Sequence, residues 1–322
     1  MQQTVIPAEV TTRVTTPGRS RGDAVFAGLA YGSGVFVLIL LGAIIVMLGV
    51  RGLPAFRQFG LAFLISSDWD PVQDVYGALV PIFGTLVTSI LALMMAVPLA
   101  FGIAYFLTEL APVWLRRPVG IAIELLAAIP SIIYGMWGFF VIVPIMGVYV
   151  QPWLIDTLGD VPVIGFLFRG SPFGVGIFTA SLVLAIMVIP FIAATMRDVF
   201  ETVPEMFKEA AFGLGCTTWE VQRGVVLPYT RVSVVGGIML GLGRALGETM
   251  AVTFVIGNTN RIPTSLFSGG NTIASLVALE FPESETGSIK LSSLLALGFI
   301  LFVISFIVLA ISRLLLRPKL RS

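Results

Sequence analysis

Arg244 and Glu248 are the residues of this sequence best placed to do chemistry. Arg244 falls in the middle of an apolar stretch at about 232–256. An arginine at the centre of a membrane span costs roughly 2.5–3.5 kcal/mol on insertion scales, so its presence there calls for a function. Glu248 follows four residues later, one turn away on the same face if the helix is continuous. The two could simply neutralise each other. Base before acid is the weaker helical order, however, and apolar replacements would remove the burial cost altogether. A functional role is the stronger reading. A guanidinium offers forked donors that fit a tetrahedral oxyanion, and a nearby carboxylate competing for them suits a site that must also release. Thr85, Thr88 and Ser89 add hydroxyls near the outer end of another apolar stretch, with 85 and 89 on one face. Such hydroxyls either bond back to their own helix or face the path of a polar substrate.

Composition removes several other chemistries. There are no histidines, which excludes His-based triads, His-ligated zinc or haem, and His proton relays. Cys216 is the single cysteine, so no disulfide can form within the chain. Lys208, Lys290 and Lys319 are the only lysines and none follows a glycine, so no G-x-x-x-x-G-K-S/T phosphate loop can be written. The chain is expected to hydrolyse no ATP of its own and to hold no metal or cofactor. Gly18-Arg19-Ser20-Arg21-Gly22 fits G-x-S-x-G but sits in a polar tail with no histidine to activate the serine. Gly241, Gly243 and Gly247 have the wrong spacing for a dinucleotide loop. With Gly236 and Gly237 they read instead as small residues for close helix packing. An intramembrane enzyme using Glu248 or Glu124 would lack a nucleophile and a second carboxylate at matched spacing. A secondary transporter would need midplane ion-coupling carboxylates and internal repeats, and the chain has only Glu248 and no clear repeat.

The elements that must position these residues are membrane helices. Mean hydropathy is +1.00, and 57% of residues are hydrophobic against 11% charged, where soluble chains have about a quarter charged. The reading is an all-α polytopic membrane protein. Its apolar stretches lie at about 24–50, 81–107, 118–146, 172–196, 232–256 and 290–312. Each can cross a hydrocarbon core of ~30 Å as a helix. Residues 1–23, rich in Thr, Pro and Arg, are expected to be a disordered tail without the apolar region of a signal peptide. Residues 24–316 then form the transmembrane domain, with Pro98, Pro130 and Pro190 interrupting spans two, three and four.

Charge placement orients the spans; the net charge of +1 gives no hint of nucleic acid. Arg13, Arg19, Arg21, Arg116, Arg117, Arg197, Lys208, Arg223, Arg231, Arg313, Arg317, Lys319 and Arg321 fall on one side. They outnumber Arg51, Arg57, Arg169, Arg261 and Lys290 on the other. The positive-inside rule therefore puts both termini and the 197–231 loop in the cytoplasm. On the outer side, 59–64 reads as a short interfacial helix followed by Trp69 at headgroup level. The 147–171 and 257–289 links are rich in Pro and Gly.

The 197–231 loop has its own internal grammar. Thr202 with Glu205, and Thr217 with Glu220, have capping-box spacing. Gly213 and Gly215 permit a left-handed turn between two short helices, and Pro228 should stop the second. Phe207, Ala211, Leu214 and Val225 are the apolar residues of a knob able to dock in another protein's groove.

This loop, with Glu209-Ala210-Ala211, Gly215 and Leu227-Pro228 at their spacing, resembles the cytoplasmic coupling loop of membrane subunits of binding-protein-dependent ABC importers. Further runs narrow the resemblance. They are Trp69-Asp70-Pro71 with Tyr76-Gly77-Ala78-Leu79, Gly84-Thr85-Leu86-Val87-Thr88-Ser89, Phe106-Leu107-Thr108-Glu109-Leu110-Ala111-Pro112, Ile129-Pro130-Ser131-Ile132-Ile133-Tyr134-Gly135, and Arg244-Ala245-Leu246-Gly247-Glu248-Thr249. Over about 55–315 the chain resembles the permeases of phosphate-specific ABC importers, and Trp-Asp-Pro favours the C-type subunit over its A-type partner. The resemblance implies the type I importer permease fold and residence in the bacterial cytoplasmic membrane. As partners it implies an A-type permease, a cytoplasmic ABC ATPase dimer and an extracytoplasmic phosphate-binding protein. It implies inorganic phosphate as substrate, with Arg244 and Glu248 on its path. Phosphonate, sulfate or molybdate are the alternatives.

Overall fold

The computed structural model describes residues 21–162 and 164–315. The expectations for residues 1–20 and for Arg317, Lys319 and Arg321 lie outside them. The described elements are helical: α1 Arg21–Phe59, α2 Ala62–Ile65, α3 Leu79–Leu110, α4 Val113–Ala127, α5 Ser131–Leu158 and α6 Ile177–Glu201. They continue with α7 Glu205–Gly213, α8 Thr218–Leu246, α9 Met250–Thr253, α10 Ile273–Glu280 and α11 Ile289–Leu315. Six of these, α1, α3, α5, α6, α8 and α11, are long and apolar enough to cross a membrane.

The molecule divides into residues up to Met47 and residues from Leu48 onward. In the first unit Phe26, Tyr31, Phe36 and Leu38 point outward from α1, which suits a helix whose solvent is lipid. Arg21 to Asp23 belong to this helix and not to the polar tail expected from their composition.

In the second unit the core forms where α3 meets α6. Ala92, Ala96, Ala100 and Ala104 repeat every fourth residue and are fully buried, so α3 presents a stripe of small side chains. Val183, Leu184, Met187, Val188, Ile192 and Met196 of α6 belong to the same cluster. Helix α3 runs through Pro98, and α6 through Pro190, without ending. Among the expected packing glycines, a Cβ at Gly237 would crowd Thr195 and one at Gly241 would crowd Ile192, while Gly236 and Gly243 meet nothing.

Three span boundaries differ from the hydropathy reading. The 118–146 stretch is two helices, because Pro130 has no N–H to donate and holds an extended backbone, ψ 135°, between α4 and α5. The 232–256 stretch stops at Leu246, where Gly247 takes over as the cap. Finally, α8 begins far earlier, at Thr218. Pro228 does not end the second coupling helix: it lies in the first turn of the regular segment after a π-turn at Gln222–Val226, where its lack of an N–H costs little.

A second, smaller cluster holds the opposite end of the unit. Trp69 is buried, and its indole N–H donates to both carboxylate oxygens of Glu280, at 2.9 and 3.1 Å. Lys290 Nζ completes the arrangement 3.3 Å from Glu280. Tyr76 packs edge-on against Trp69 with ring centroids 5.0 Å apart. Burial, reinforced by its hydrogen bond to Asp74, pushes the Tyr76 phenol well above its usual range, so it stays neutral.

Candidate translocation site and coupling segment

The break after α8 brings together two sequence runs that lie more than a hundred residues apart. Arg244 sits in the last turn of α8, where a cation is favoured by the helix dipole. The helix then opens at Gly247. Glu248 lies in the gap, its Oε1 accepting from the Ala251 N–H at 3.2 Å and so holding the start of α9. The regular helix thus ends between Arg244 and Glu248, and no ion pair joins them among the described residues. Glycine 247 was the signal that could have predicted this, read as a stop and not as a packing residue.

Arg244 is exposed within the chain, its Cζ 5.9 Å from the centre of the Phe191 ring on α6. Such a cation–π contact orients a guanidinium without using its N–H donors. From the other side, α5 closes on α9 at Gly135, where a Cβ would come within 3.0 Å of the Ala251 Cα and 2.9 Å of the Met250 carbonyl. The hydroxyl of the neighbouring Tyr134 donates to Leu126 O at 2.9 Å across the Pro130 break. Broken helices of this kind, at membrane depth, are tolerated where they line a cavity and are a recurrent way to bind ions.

Thr85 and Ser89 stand elsewhere. Thr85 Oγ1 donates to Pro81 O at 2.7 Å and accepts from the Ile273 N–H at 2.9 Å, tying α3 to α10. Thr88 bonds back to Gly84 O at 2.7 Å. Ser89 Oγ is buried without a partner. None makes a hydrogen bond to Arg244 or Glu248 among the described residues. Glu124, the other carboxylate considered for chemistry, accepts from Arg197 Nη2 at 2.7 Å.

The coupling segment is two helices about a glycine turn. Thr217 and Glu220 form the expected capping box, with Thr217 N–H donating to Glu220 Oε2 at 2.7 Å. Thr202 and Glu205 do not: Pro204 occupies the cap position, and the Thr202 hydroxyl turns back to Val199 O at 2.7 Å. Gly213 is the last residue of α7, and the left-handed residue is Gly215, at φ +86°. Glu209, Ala210, Gly215 and Pro228 are exposed, Ala211 and Leu227 half-buried. Met206, Phe207 and Leu214 project, with Leu214 86% exposed, giving the segment an apolar tip.

Two joints fasten this segment to the spans. Trp219 on α8 packs edge-on against Tyr105 and Phe101 of α3, centroids 5.7 and 6.4 Å apart. Lys208 Nζ on α7 reaches Glu109 of α3 at 2.5 Å, and both side chains are mostly buried. Sequence reading missed both, since the partners are non-local. Removing one half of such a pair leaves an uncompensated charge, at a cost of about 3 kcal/mol. Lys208→Met is therefore expected to lower the thermal midpoint of the detergent-solubilised complex, and adding Glu109→Gln should recover most of it. Independent, additive effects would show that the pair carries no coupling.

A family model described as binding-protein-dependent transport system inner membrane component matches residues 96–321. The described fold aligns with a chain of a bacterial alginate ABC transporter at TM-score 0.59 and 16% identity, over 94% of this chain and 96% of that one. It is the type I ABC importer permease fold. The phosphate transport system permease protein PstC of Pasteurella multocida is 62% identical over 88% of each chain. That of Mesorhizobium japonicum is 52% identical over 97% of this chain and 95% of its own. The chain therefore belongs to the binding-protein-dependent transport inner membrane components and, within them, to the PstC permeases. With its six apolar helices, it is a multi-pass inner-membrane protein.

Proposed function

We propose that this chain is the C-type permease subunit of an ATP-driven importer of inorganic phosphate. It forms the translocation path with an A-type permease. An ABC ATPase dimer, docked on Glu209 to Pro228 from the cytoplasm, supplies the hydrolysis, and an extracytoplasmic phosphate-binding protein delivers the substrate. Both termini face the cytoplasm in this arrangement. The observation that carries the reading is Arg244 at the α8–α9 break, oriented by Phe191 and free of a carboxylate partner among the described residues. A guanidinium so placed can offer its fork to a tetrahedral oxyanion. Identity to PstC permeases over most of both chains supports phosphate as that oxyanion.

Reconstituted in proteoliposomes with the other subunits, the chain should support uptake of radiolabelled phosphate only when ATP and binding protein are present. Purified alone it should hydrolyse no ATP. Absence of phosphate uptake together with ATP-dependent uptake of radiolabelled sulfate, molybdate or a phosphonate would transfer the function to that other oxyanion.

A further inference from the structure

The loop that follows α9 carries the second arginine of interest. It opens with Gly257 and Asn258, both at positive φ, and is held in shape along its length. Thr259 N–H donates to Gly270 O at 3.0 Å and Gly270 N–H to Ile256 O at 3.1 Å. The Asn271 amide donates to Asn260 Oδ1 at 2.8 Å, and Leu266 N–H to Leu167 O at 2.8 Å. Phe267 is buried as the anchor, packed edge-on against Phe168 and Phe178. The loop is thus a preformed support and not a floppy link.

Arg261 stands on this support, exposed and without an ion pair among the described residues. It lines a cavity of about 460 Å³ in which it is the only charged lining residue. Ser171, Thr259, Thr264 and Ser268 are hydroxyl-bearing residues of the same lining. A lone guanidinium among hydroxyls, with no carboxylate, is the donor set of a site for an oxyanion. Asp68 and Asp70 line a second cavity, which Arg261 also borders, and are absent from the lining of the first. They would repel an anion from that second cavity.

We propose that the cavity beneath the 257–270 loop is an outer entrance site for a tetrahedral oxyanion, where Arg261 receives the anion before it reaches Arg244. The inference rests on the import reading and on the orientation that places this loop outside. Glu248, α9 and Gly257 are the chain segment between the two arginines.

The test is initial-rate uptake of radiolabelled phosphate by the complete complex in proteoliposomes, with phosphate-loaded binding protein varied. For Arg261→Gln the maximal rate should fall about tenfold or more, the loss expected from one charge-assisted contact. The half-saturating concentration of binding protein should stay unchanged. Arg261→Lys should retain part of the rate, and Thr259→Val should lower it modestly in the same way. A raised half-saturation with the maximal rate intact would make Arg261 a docking contact for the binding protein and overturn the entrance site. Wild-type kinetics in Arg261→Gln would overturn it as well. A wild-type complex that takes up no phosphate would instead overturn the import reading itself.

Discussion

Arg244→Gln should lower phosphate uptake by about a hundredfold or more, because in the proposed site it removes the two charge-assisted hydrogen bonds a guanidinium fork would offer the anion, each of roughly 1.5–3 kcal/mol. The complex should still assemble, since Arg244 is exposed within the chain and its truncation opens no cavity. Arg244→Lys keeps the charge and loses the planar fork, and should fall between glutamine and wild type. The decisive variant replaces Arg244 and Glu248 together by leucine. Glu248 holds the start of α9 and not the guanidinium, so the stability changes of the two single variants should add. The double variant should be folded and inactive. Wild-type uptake by it would remove both residues from the path.

Gly215→Val should reduce uptake to background while ATP hydrolysis by the assembled complex continues. A Cβ at Gly215 would meet nothing within 4 Å, so the effect is one of backbone conformation alone. At φ +86° an L-residue pays about 1–2 kcal/mol, and a β-branched one is a genuine outlier. The turn would relax, and α7 would leave its angle to α8. Gly215→Asn, which tolerates the left-handed region, should retain most of the uptake. The measurement is phosphate moved per ATP hydrolysed. An unchanged ratio in the valine variant would show that the turn transmits nothing.

What could be read from the chain followed the range of the interaction concerned. Six membrane helices were legible because hydropathy is summed over about twenty residues and tolerates local irregularity. The same summation hid the end of α8: residues 247–256 are as apolar as those before them, and only Gly247 marks where the backbone turns. Pro228 was misread because its effect depends on the π-turn that precedes it. Thr202 lost its capping role to Pro204, two positions on, which local spacing did not weigh. The most specific contacts were out of reach altogether. Phe191 under Arg244, Gly135 against Ala251 and Glu280 on Trp69 are each set by packing between distant segments.

The bond between Trp69 and Glu280 has an experimental use. Five tryptophans share this chain, and Trp114, Trp137, Trp153 and Trp219 are all exposed. Trp69 alone is shielded, with its indole bound to a carboxylate that Lys290 at the start of α11 also holds. Changing the other four to phenylalanine would leave a single emitter inside the layer that joins residue 69 to α10 and α11. Its colour would shift to the red whenever water entered that layer. Opening and closing of this end of the permease could then be timed by light, in membranes, without attaching any label.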